Sequence, residues 1–456
     1  MSSKEKRGTF SGSLGYVLAT AGSAVGLGNI WRFPYLAAKY GGGIFLLVYI
    51  ILVIFFGTIM IYAETALGRM TRKSPIGAFT SFGSGFRFKL GGVLNAIAPM
   101  IIAPYYCVIG GWVMKYLFAY LTQGMKNMAD DTFFSNFISN SESAEFWFIV
   151  FLLITLAIIL AGVKSGIERV SMIMMPALII LAVIVAIFSI TRPGALAGVK
   201  YLFLPNFREF SIKTIVAALG QMFYSLSIAM GILYTYGSYM KKDVNITKSG
   251  NQIAIVDTTV AVLASLMVIP GVFAYSGGSL KALNAGPSLM FITLPKVFQG
   301  MGGIGHITAI LFFVLVFFAA LTSSISLLET CTSTFQDQLH LSRPKSAALT
   351  TVLCIILGTL SAVGYGVLSN VTIIGMQFLD FFDFISNSVI LPISALCTCL
   401  LITYAVGFDR FKKEIEISGP FTRESTFRVI IKYVAPVLLL VIFVTSILGA
   451  FGLYKI

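Results

Sequence analysis

The stretch AVGLGNIWRFP, residues 24–34, interrupts a long apolar run that begins at Leu14. Gly26 and Gly28 lie inside it, followed by the polar residues Asn29 and Arg32. Glycine in a helix interior costs about 1 kcal/mol relative to alanine. Inside a membrane, non-helical backbone is tolerated only where it is buried in protein or lines a cavity. The stretch therefore predicts a membrane span broken beside a cavity, or glycines that allow close helix packing.

The composition agrees with a membrane protein. Of 456 residues, 57% are hydrophobic and 11% are charged, whereas soluble domains carry about 25% charged residues. Apolar runs of roughly 20 residues, the length that crosses a bilayer, recur along the chain. We predict an all-α polytopic protein of the lipid bilayer with eleven transmembrane helices. The predicted spans are 13–36, 41–69, 92–123, 145–163, 168–190, 213–240, 252–277, 303–336, 347–367, 371–405 and 429–452.

The basic residues predict the orientation of the chain. The net charge of +14 does not indicate nucleic acid as a partner, because the basic residues are spread over short loops. With the N-terminus inside, 21 of the 32 Lys and Arg residues fall in the loops of one side, and cytoplasmic loops carry such an excess. We predict a multi-pass protein of the cell membrane whose residues 1–12 form a cytoplasmic N-terminal tail. The first apolar run is interpreted as a retained span and not as a cleaved signal peptide.

A second interrupted span is predicted five spans after the first. The sixth span contains Gly220, Ser225, Ser227 and Gly231. Paired interruptions in two halves of a chain are typical of inverted repeats with a site between them at the membrane midplane. We predict a 5+5 inverted repeat with broken helices 1 and 6. The first repeat is 13–190, the second is 213–405, and 406–456 holds a loop and span 11; the segment 278–302 is interpreted as a re-entrant or capping hairpin.

Ionisable residues inside spans are costly and usually functional. Asp257 has no basic residue near it in the sequence, so its carboxylate needs a cation, a proton or a distant arginine. Arg32 and Asp383, near the outer ends of spans 1 and 10, predict either a gate across an entry path or a static ion pair. The hydroxyls of Thr322 and Ser323 either bond to their own helix backbone or, with carbonyls freed by the break in span 1, bind a hard cation such as Na⁺.

Four motifs carry a resemblance to a known family. These are residues 24–34 followed by Gly41–Gly43, the stretch from Glu64 to Arg69, QMFYSLS at 221–227 and FAALTSS at 318–324. Together they resemble the neurotransmitter:sodium symporter family, and the chain is similar to its bacterial eleven-span amino acid transporters. The resemblance implies sodium-coupled import of an amino acid by alternating access, two Na⁺ sites, and a monomer as the functional unit. It leaves the oligomeric state open.

The resemblance also implies site residues, residue by residue. The substrate-binding set would be Ala24, Gly26, Gly28, Ile102, Tyr106, Tyr224, Ser225, Ser227, Met230, Ser323 and Leu327. The first sodium site would use Ala24, Asn29, Ser225 and Asp257, and the second would use Gly22, Val25, Ala319, Thr322 and Ser323. The outer gate would pair Arg32 with Asp383, and the inner gate would join Arg7 and Asp337 beside Tyr239.

Two features bear on substrate and coupling. The family's monoamine carriers place an aspartate at the position of Gly26, so glycine implies a substrate with its own carboxylate. Ile102, Met230 and Leu327 make the other end of the pocket apolar, which favours a hydrophobic or aromatic L-amino acid. Asp257 stands where an asparagine is usual, and this built-in charge implies transport that does not require chloride.

Two alternatives remain at this stage. Asp257 could carry a proton, which would make the chain a proton-coupled amino acid transporter. The same fold could also serve as an amino acid sensor that does not transport. A membrane enzyme is not expected, because the sequence has no Cys/His/Asp cluster and no metal-ligand spacing.

Overall fold

The computed structural model describes residues 7–278 and 287–450. Within these residues, extended backbone pairing is limited to two isolated bridges, and the fold is all-α. Nine unbroken helical stretches are long and apolar enough to span a membrane. Two further spans are interrupted, which gives eleven. The nine unbroken spans are 2 (Gly43–Thr71), 3 (Phe86–Thr122), 4 (Ser141–Leu160), 5 (Val163–Ile190), 7 (Ile246–Ser276), 8 (Gly303–Leu339), 9 (Arg343–Ala362), 10 (Phe378–Val406) and 11 (Glu424–Gly449).

The two interrupted spans are 1 and 6. Span 1 consists of the helix Ser13–Ala24, the π-helical turn Gly28–Arg32 and the helix Phe33–Lys39. Span 6 consists of the helices Ile212–Ser225 and Ile232–Tyr239. The breaks at positions 25–27 and 226–231 are those that the glycine patterns predict. The assignment of 13–190 and 213–405 as inverted repeats remains a prediction.

Local capping and turn structure displaces the predicted start of two spans. Span 7 begins at Ile246 rather than at 252, because the Asn245 side chain accepts a hydrogen bond from Lys248 N at 2.8 Å and caps a polar first turn. Span 10 begins at Phe378 rather than at 371, because Ile373 and Met376 pair in a tight turn before it. Hydropathy alone starts span 7 too late, because the first turn of its helix is polar. It starts span 10 too early, because the turn before its helix is apolar.

Spans 3 and 8 are the longest helices, at 37 residues each, and they form the scaffold around the broken spans. Span 4 packs closely on span 3 at Gly111, where an added Cβ would lie 2.7 Å from Phe148 N. We call the end of the bundle that carries Arg7 the inner end and the opposite end the outer end. Towards the outer end, span 3 contributes two large buried side chains, Trp112 and Tyr116.

The segment 278–302 is mostly helical where it is described. It forms the turns Leu289–Thr293 and Leu294–Gly300, and residues 279–286 lie outside the described residues. Tyr116 in span 3 donates a 2.8 Å hydrogen bond to the Phe291 carbonyl. Lys296 pairs with Asp131 on the short outer helix Asp131–Ser139. These contacts hold the segment over the outer end of the bundle.

Candidate binding site at the helix breaks

The break in span 1 redirects backbone groups from the helix to side chains. A continuous helix would bond Gly26 N to the Gly22 carbonyl, but Gly26 N donates to Asn29 Oδ1 at 3.0 Å. Leu27 N donates to the hydroxyl of Tyr106 in span 3 at 3.0 Å. The residue at the break, Val25, has extended backbone with φ −75° and ψ 94°. The break thus leaves carbonyls of span 1 free to accept other partners.

The break in span 6 contains strained backbone. Ser227 and Ala229 have φ of 54° and 64°, a left-handed conformation that costs a non-glycine residue about 1–3 kcal/mol. Gly231, which adopts φ 69°, has no Cβ to oppose that conformation. The buried carboxylate of Glu64 in span 2 accepts a 2.9 Å hydrogen bond from Ala229 N. In the sequence, Glu64 marks the start of one family motif, and this role was not predicted.

The two breaks face each other across one cavity. All eleven residues of the predicted substrate set line it, and so do Ser23, Asn29 and Ile232, which that set omitted. Ser23 and Ser227 join the two broken spans, with their hydroxyl oxygens 3.0 Å apart. Of the three omitted residues, Asn29 was assigned to the first sodium site, while Ser23 and Ile232 lie close to a break, so their sequence position was the available signal.

The cavity is narrow and has two chemically different parts. The space between its lining atoms is about 340 Å³, and very little of it can hold the centre of a water molecule. The span 1 break and the Tyr106 hydroxyl supply polar groups, while Ile102, Met230 and Leu327 supply apolar ones. The Arg32 guanidinium lies over the Tyr224 ring, 5.3 Å from its centre. A ligand larger than water therefore requires side chains of the wall to move.

Asp257 lies at the centre of a buried polar cluster. Its Oδ1 accepts hydrogen bonds from Asn29 Nδ2 and Ser225 Oγ, each at 2.8 Å. Its Oδ2 accepts one from the Tyr49 hydroxyl at 3.1 Å. The Asp257 and Asn29 side chains have no exposed surface. The structure thus brings together three of the residues predicted for the first sodium site, and the fourth, Ala24, lines the adjacent cavity.

A second cluster of oxygen atoms joins span 1 to span 8. Ser323 Oγ lies 3.3 Å from the Gly22 carbonyl oxygen and 3.4 Å from that of Val25. Thr322 Oγ1 donates to its own helix, at 3.3 Å to the Ala319 carbonyl. An added Cβ on Gly22 would lie 3.2 Å from Thr322 Cβ. The five residues predicted for the second sodium site therefore lie together.

The inner end is closed by a polar network. Arg7 Nη1 pairs with Asp337 Oδ1 at 2.5 Å, and Arg7 Nε donates to Ser238 Oγ at 2.9 Å. Asp337 Oδ2 accepts a 2.6 Å hydrogen bond from Ser74 N. The Arg7 guanidinium lies 5.1 Å from the centre of the Tyr239 ring. This is the set of residues predicted for the inner gate.

The outer pair is not joined in this structure. Within 7–278 and 287–450, Arg32 and Asp383 form no ion pair, since Asp383 Oδ1 accepts from the Tyr105 hydroxyl at 3.1 Å and Asn387 Nδ2 at 2.7 Å. Asp383 is exposed, and Arg32 lies over Tyr224. The structure is thus closed by ion pairing at the inner end but not at the outer end.

Known proteins are similar to this chain over nearly its whole length. An uncharacterised sodium-dependent transporter of Bacillus subtilis is 31% identical, with 98% of this chain and 99% of the relative covered. The mouse sodium-dependent neutral amino acid transporter B(0)AT1 is 26% identical, with 94% and 80% covered. The crystal structure of MhsT in complex with L-phenylalanine is similar at a TM-score of 0.87 and 36% identity, with 97% of this chain and 100% of that chain covered.

The family model described as the sodium:neurotransmitter symporter family matches residues 7–136 and 132–453. It agrees with the resemblance of the four motifs and with a fold of eleven spans broken at 1 and 6. The protein is a multi-pass membrane transporter that uses sodium, and it is not an enzyme. The chain therefore belongs to the sodium:neurotransmitter symporter family.

Proposed function

We propose that this protein imports a hydrophobic or aromatic L-amino acid by alternating access, driven by sodium and without a requirement for chloride. The observation that carries this proposal is the cavity between the breaks. It combines a carboxylate-binding end, made of span 1 backbone and the Tyr106 hydroxyl, with an apolar end made of Ile102, Met230 and Leu327. The solved relative MhsT binds L-phenylalanine, a ligand of this kind.

The absence of a side chain at Gly26 supports a substrate that brings its own carboxylate. An added Cβ would lie 2.6 Å from the Tyr106 hydroxyl and 2.7 Å from Ser323 Oγ, so there is room there for a carboxylate only while residue 26 is glycine. Met230 is flexible and adapts to different shapes. Since little of the cavity is wide enough for water, we expect Met230 and Tyr224 to move when the substrate enters.

Two sodium ions would fit the two oxygen clusters. At the first, Asp257 and Ser225 would bind Na⁺ together with Asn29, whose amide would turn to present its oxygen. At the second, the ligands would be the carbonyls of Gly22, Val25 and Ala319 and the hydroxyls of Thr322 and Ser323. Hard cations prefer oxygen ligands, and carbonyls freed by a helix break serve this purpose in transporters.

The charge of Asp257 supports independence from chloride. Its carboxylate is fully buried among three hydrogen-bond donors and has no arginine or lysine partner among the described residues. A buried anion of this kind needs a compensating cation. Sodium at the first site would supply that charge, so no additional anion would be needed.

Alternating access would use the two ends in turn. The Arg7–Asp337 network would open to release substrate at the inner end, and Arg32 and Asp383 would come together to close the outer end. We place the N-terminus in the cytoplasm and spans 1–5 and 6–10 as inverted repeats, as the basic loops and the paired breaks indicate. Monomers would suffice, because every group of the site comes from one chain.

The test is uptake of radiolabelled phenylalanine, leucine and tryptophan into proteoliposomes. Uptake that requires a sodium gradient and persists when gluconate replaces chloride is the expected result. Equal uptake driven by a proton gradient in choline would overturn sodium coupling and assign proton transfer to Asp257. Sodium-dependent binding without uptake under any gradient would overturn transport in favour of a sensor.

A further inference from the structure

A second cavity lies at the outer end of the bundle, apart from the site at the helix breaks. It is formed by the outer part of span 3, the connection 123–140 and the start of span 4. It is an open depression whose empty space, with the adjoining solvent included, is about 850 Å³. None of the proposed transport steps involves its residues.

The charged side chains of this outer cavity give it an excess of positive charge. Lys115 and Lys126 line it, and neither has an acidic partner among the described residues. Asp130 is the one acidic side chain in the lining, and its Oδ1 accepts hydrogen bonds from Thr132 Oγ1 at 2.6 Å and Thr132 N at 2.8 Å. These bonds lower the pKa of Asp130. Two lysines and one satisfied carboxylate leave an uncompensated cation in the cavity.

Neutral donors add to this preference for an anion. Asn127 and Asn136 also line the cavity, and their side-chain amides form no hydrogen bond within the described residues. An amide nitrogen and a lysine ammonium are both donors, and a bond from a charged donor to an oxyanion is about twice as strong as a neutral hydrogen bond. The cavity thus presents four side-chain donor groups to a negatively charged ligand.

The position of Lys115 links the cavity to the bilayer. It lies seven residues before the end of span 3 at Thr122, which is about 10 Å along a helix. A lysine in a span normally extends its side chain towards the headgroup region. Three and six residues further along the same helix, Phe118 and Leu121 are 47% and 62% exposed. Trp147 packs on Phe118 with ring centres 5.4 Å apart, and tryptophan is enriched at membrane interfaces.

We propose that this cavity binds the headgroup of an anionic phospholipid from the leaflet opposite the N-terminal tail. Lys115 and Lys126 hold the phosphate, the asparagine amides contact the rest of the headgroup, and the acyl chains lie along Phe118 and Leu121. A free phosphate ion shares the chemistry of the headgroup but leaves the exposed apolar surface without a partner. The lipid therefore accounts for both the charge and the adjoining surface.

The experiment is native mass spectrometry of the full chain, purified from an equal mixture of phosphatidylglycerol and phosphatidylcholine. Wild-type protein is expected to retain phosphatidylglycerol over phosphatidylcholine by at least fivefold. Lys115→Gln and Lys126→Gln should each reduce that preference at least threefold, whereas Lys115→Arg should preserve it. Lys200→Gln is the matched control, because Lys200 is an exposed lysine near the outer end but outside the cavity.

Two results would overturn the proposal. One is a preference for phosphatidylglycerol that persists unchanged in the Lys115→Gln/Lys126→Gln double variant. The other is binding of inorganic phosphate to delipidated protein, with the same dependence on both lysines, while phosphatidylglycerol does not bind. Melting temperatures in phosphatidylcholine nanodiscs identify any variant that does not fold. If Lys115→Gln does not fold, the test uses Lys126→Gln, which lies on the exposed connection, and Lys115→Arg.

Discussion

The side-chain amide of Asn29 in span 1 donates a 2.8 Å hydrogen bond to the carboxylate of Asp257 in span 7. Ser225, the last helical residue before the break in span 6, donates to the same oxygen at 2.8 Å. The carboxylate thus connects both broken spans to an unbroken one. A cation that binds here would stabilise one relative position of these three spans, which is how ion binding can bias a conformational equilibrium.

Replacement of Asp257 by asparagine should make transport depend on chloride, if the charge of Asp257 balances sodium as we propose. The variant keeps the size and a hydrogen-bonding oxygen but loses the buried charge that would balance sodium. We expect uptake in chloride-free medium to fall at least tenfold and to recover partly in chloride, as measured in proteoliposomes. Asp380→Asn is the control, because Asp380 is an exposed carboxylate that contacts Tyr365 outside the site. Full activity of Asp257→Asn without chloride would contradict the charge-balance role.

Gly26→Ala should weaken substrate binding without a comparable loss of stability. The added methyl group would lie 2.6 Å from the Tyr106 hydroxyl and 2.7 Å from Ser323 Oγ, closer than such atoms approach without displacement. We expect the Kd for the amino acid to rise at least tenfold in equilibrium binding. Gly220→Ala is the matched control in span 6, since a Cβ there has no atom within 4 Å. Equal affinities in the two variants would argue against a carboxylate position beside Gly26.

The sequence predicted the features that depend on residue type. Glycines at 26, 28 and 231 indicated where the helices break. Glycine has no Cβ, so it weakens a helix and adopts a non-helical backbone at little steric cost. The resemblance then supplied the pocket residues, and all eleven lie around one cavity. That they bind substrate and sodium is our proposal, which the Gly26, Asp257 and Thr322 variants test.

Features that depend on distant pairing were not accessible from the sequence. The bond between Glu64 and Ala229 joins residues 165 positions apart, and no periodicity indicates which backbone N–H a carboxylate will accept from. Arg32 and Asp383 are separate in this conformation of the outer end. A transporter sequence is compatible with more than one conformation, so it does not indicate whether the two residues are paired. Ser23 lines the cavity because it lies beside the break and contacts Ser227 of span 6. The sequence did not indicate this contact, since a serine in a span usually bonds to its own helix.

Thr322→Val should reduce sodium affinity selectively. The substitution keeps the branched shape and removes only the hydroxyl, which donates to carbonyls of its own helix and is one of the proposed ligands of the second sodium site. We expect the sodium concentration for half-maximal uptake to rise at least tenfold at saturating amino acid. Ser324→Ala is the control, because the neighbouring Ser324 hydroxyl is buried without a hydrogen-bond partner among the described residues. An equal shift in both variants would point to a general packing defect in span 8.

Glu64→Leu should destabilise the break in span 6 and thereby the substrate site. The Glu64 carboxylate accepts a 2.9 Å hydrogen bond from the buried N–H of Ala229, which leucine cannot accept. A buried donor left without a partner costs about 1–3 kcal/mol, in a segment where Ser227 and Ala229 already adopt left-handed backbone. We expect a lower melting temperature in detergent and at least a tenfold weaker affinity for the amino acid, because Ser227 and Met230 lie in that segment. Glu64→Gln retains an acceptor oxygen and should lose less than half as much in both measurements. Equal losses for Gln and Leu would show that the charge of Glu64, and not its hydrogen bond to Ala229, maintains the break.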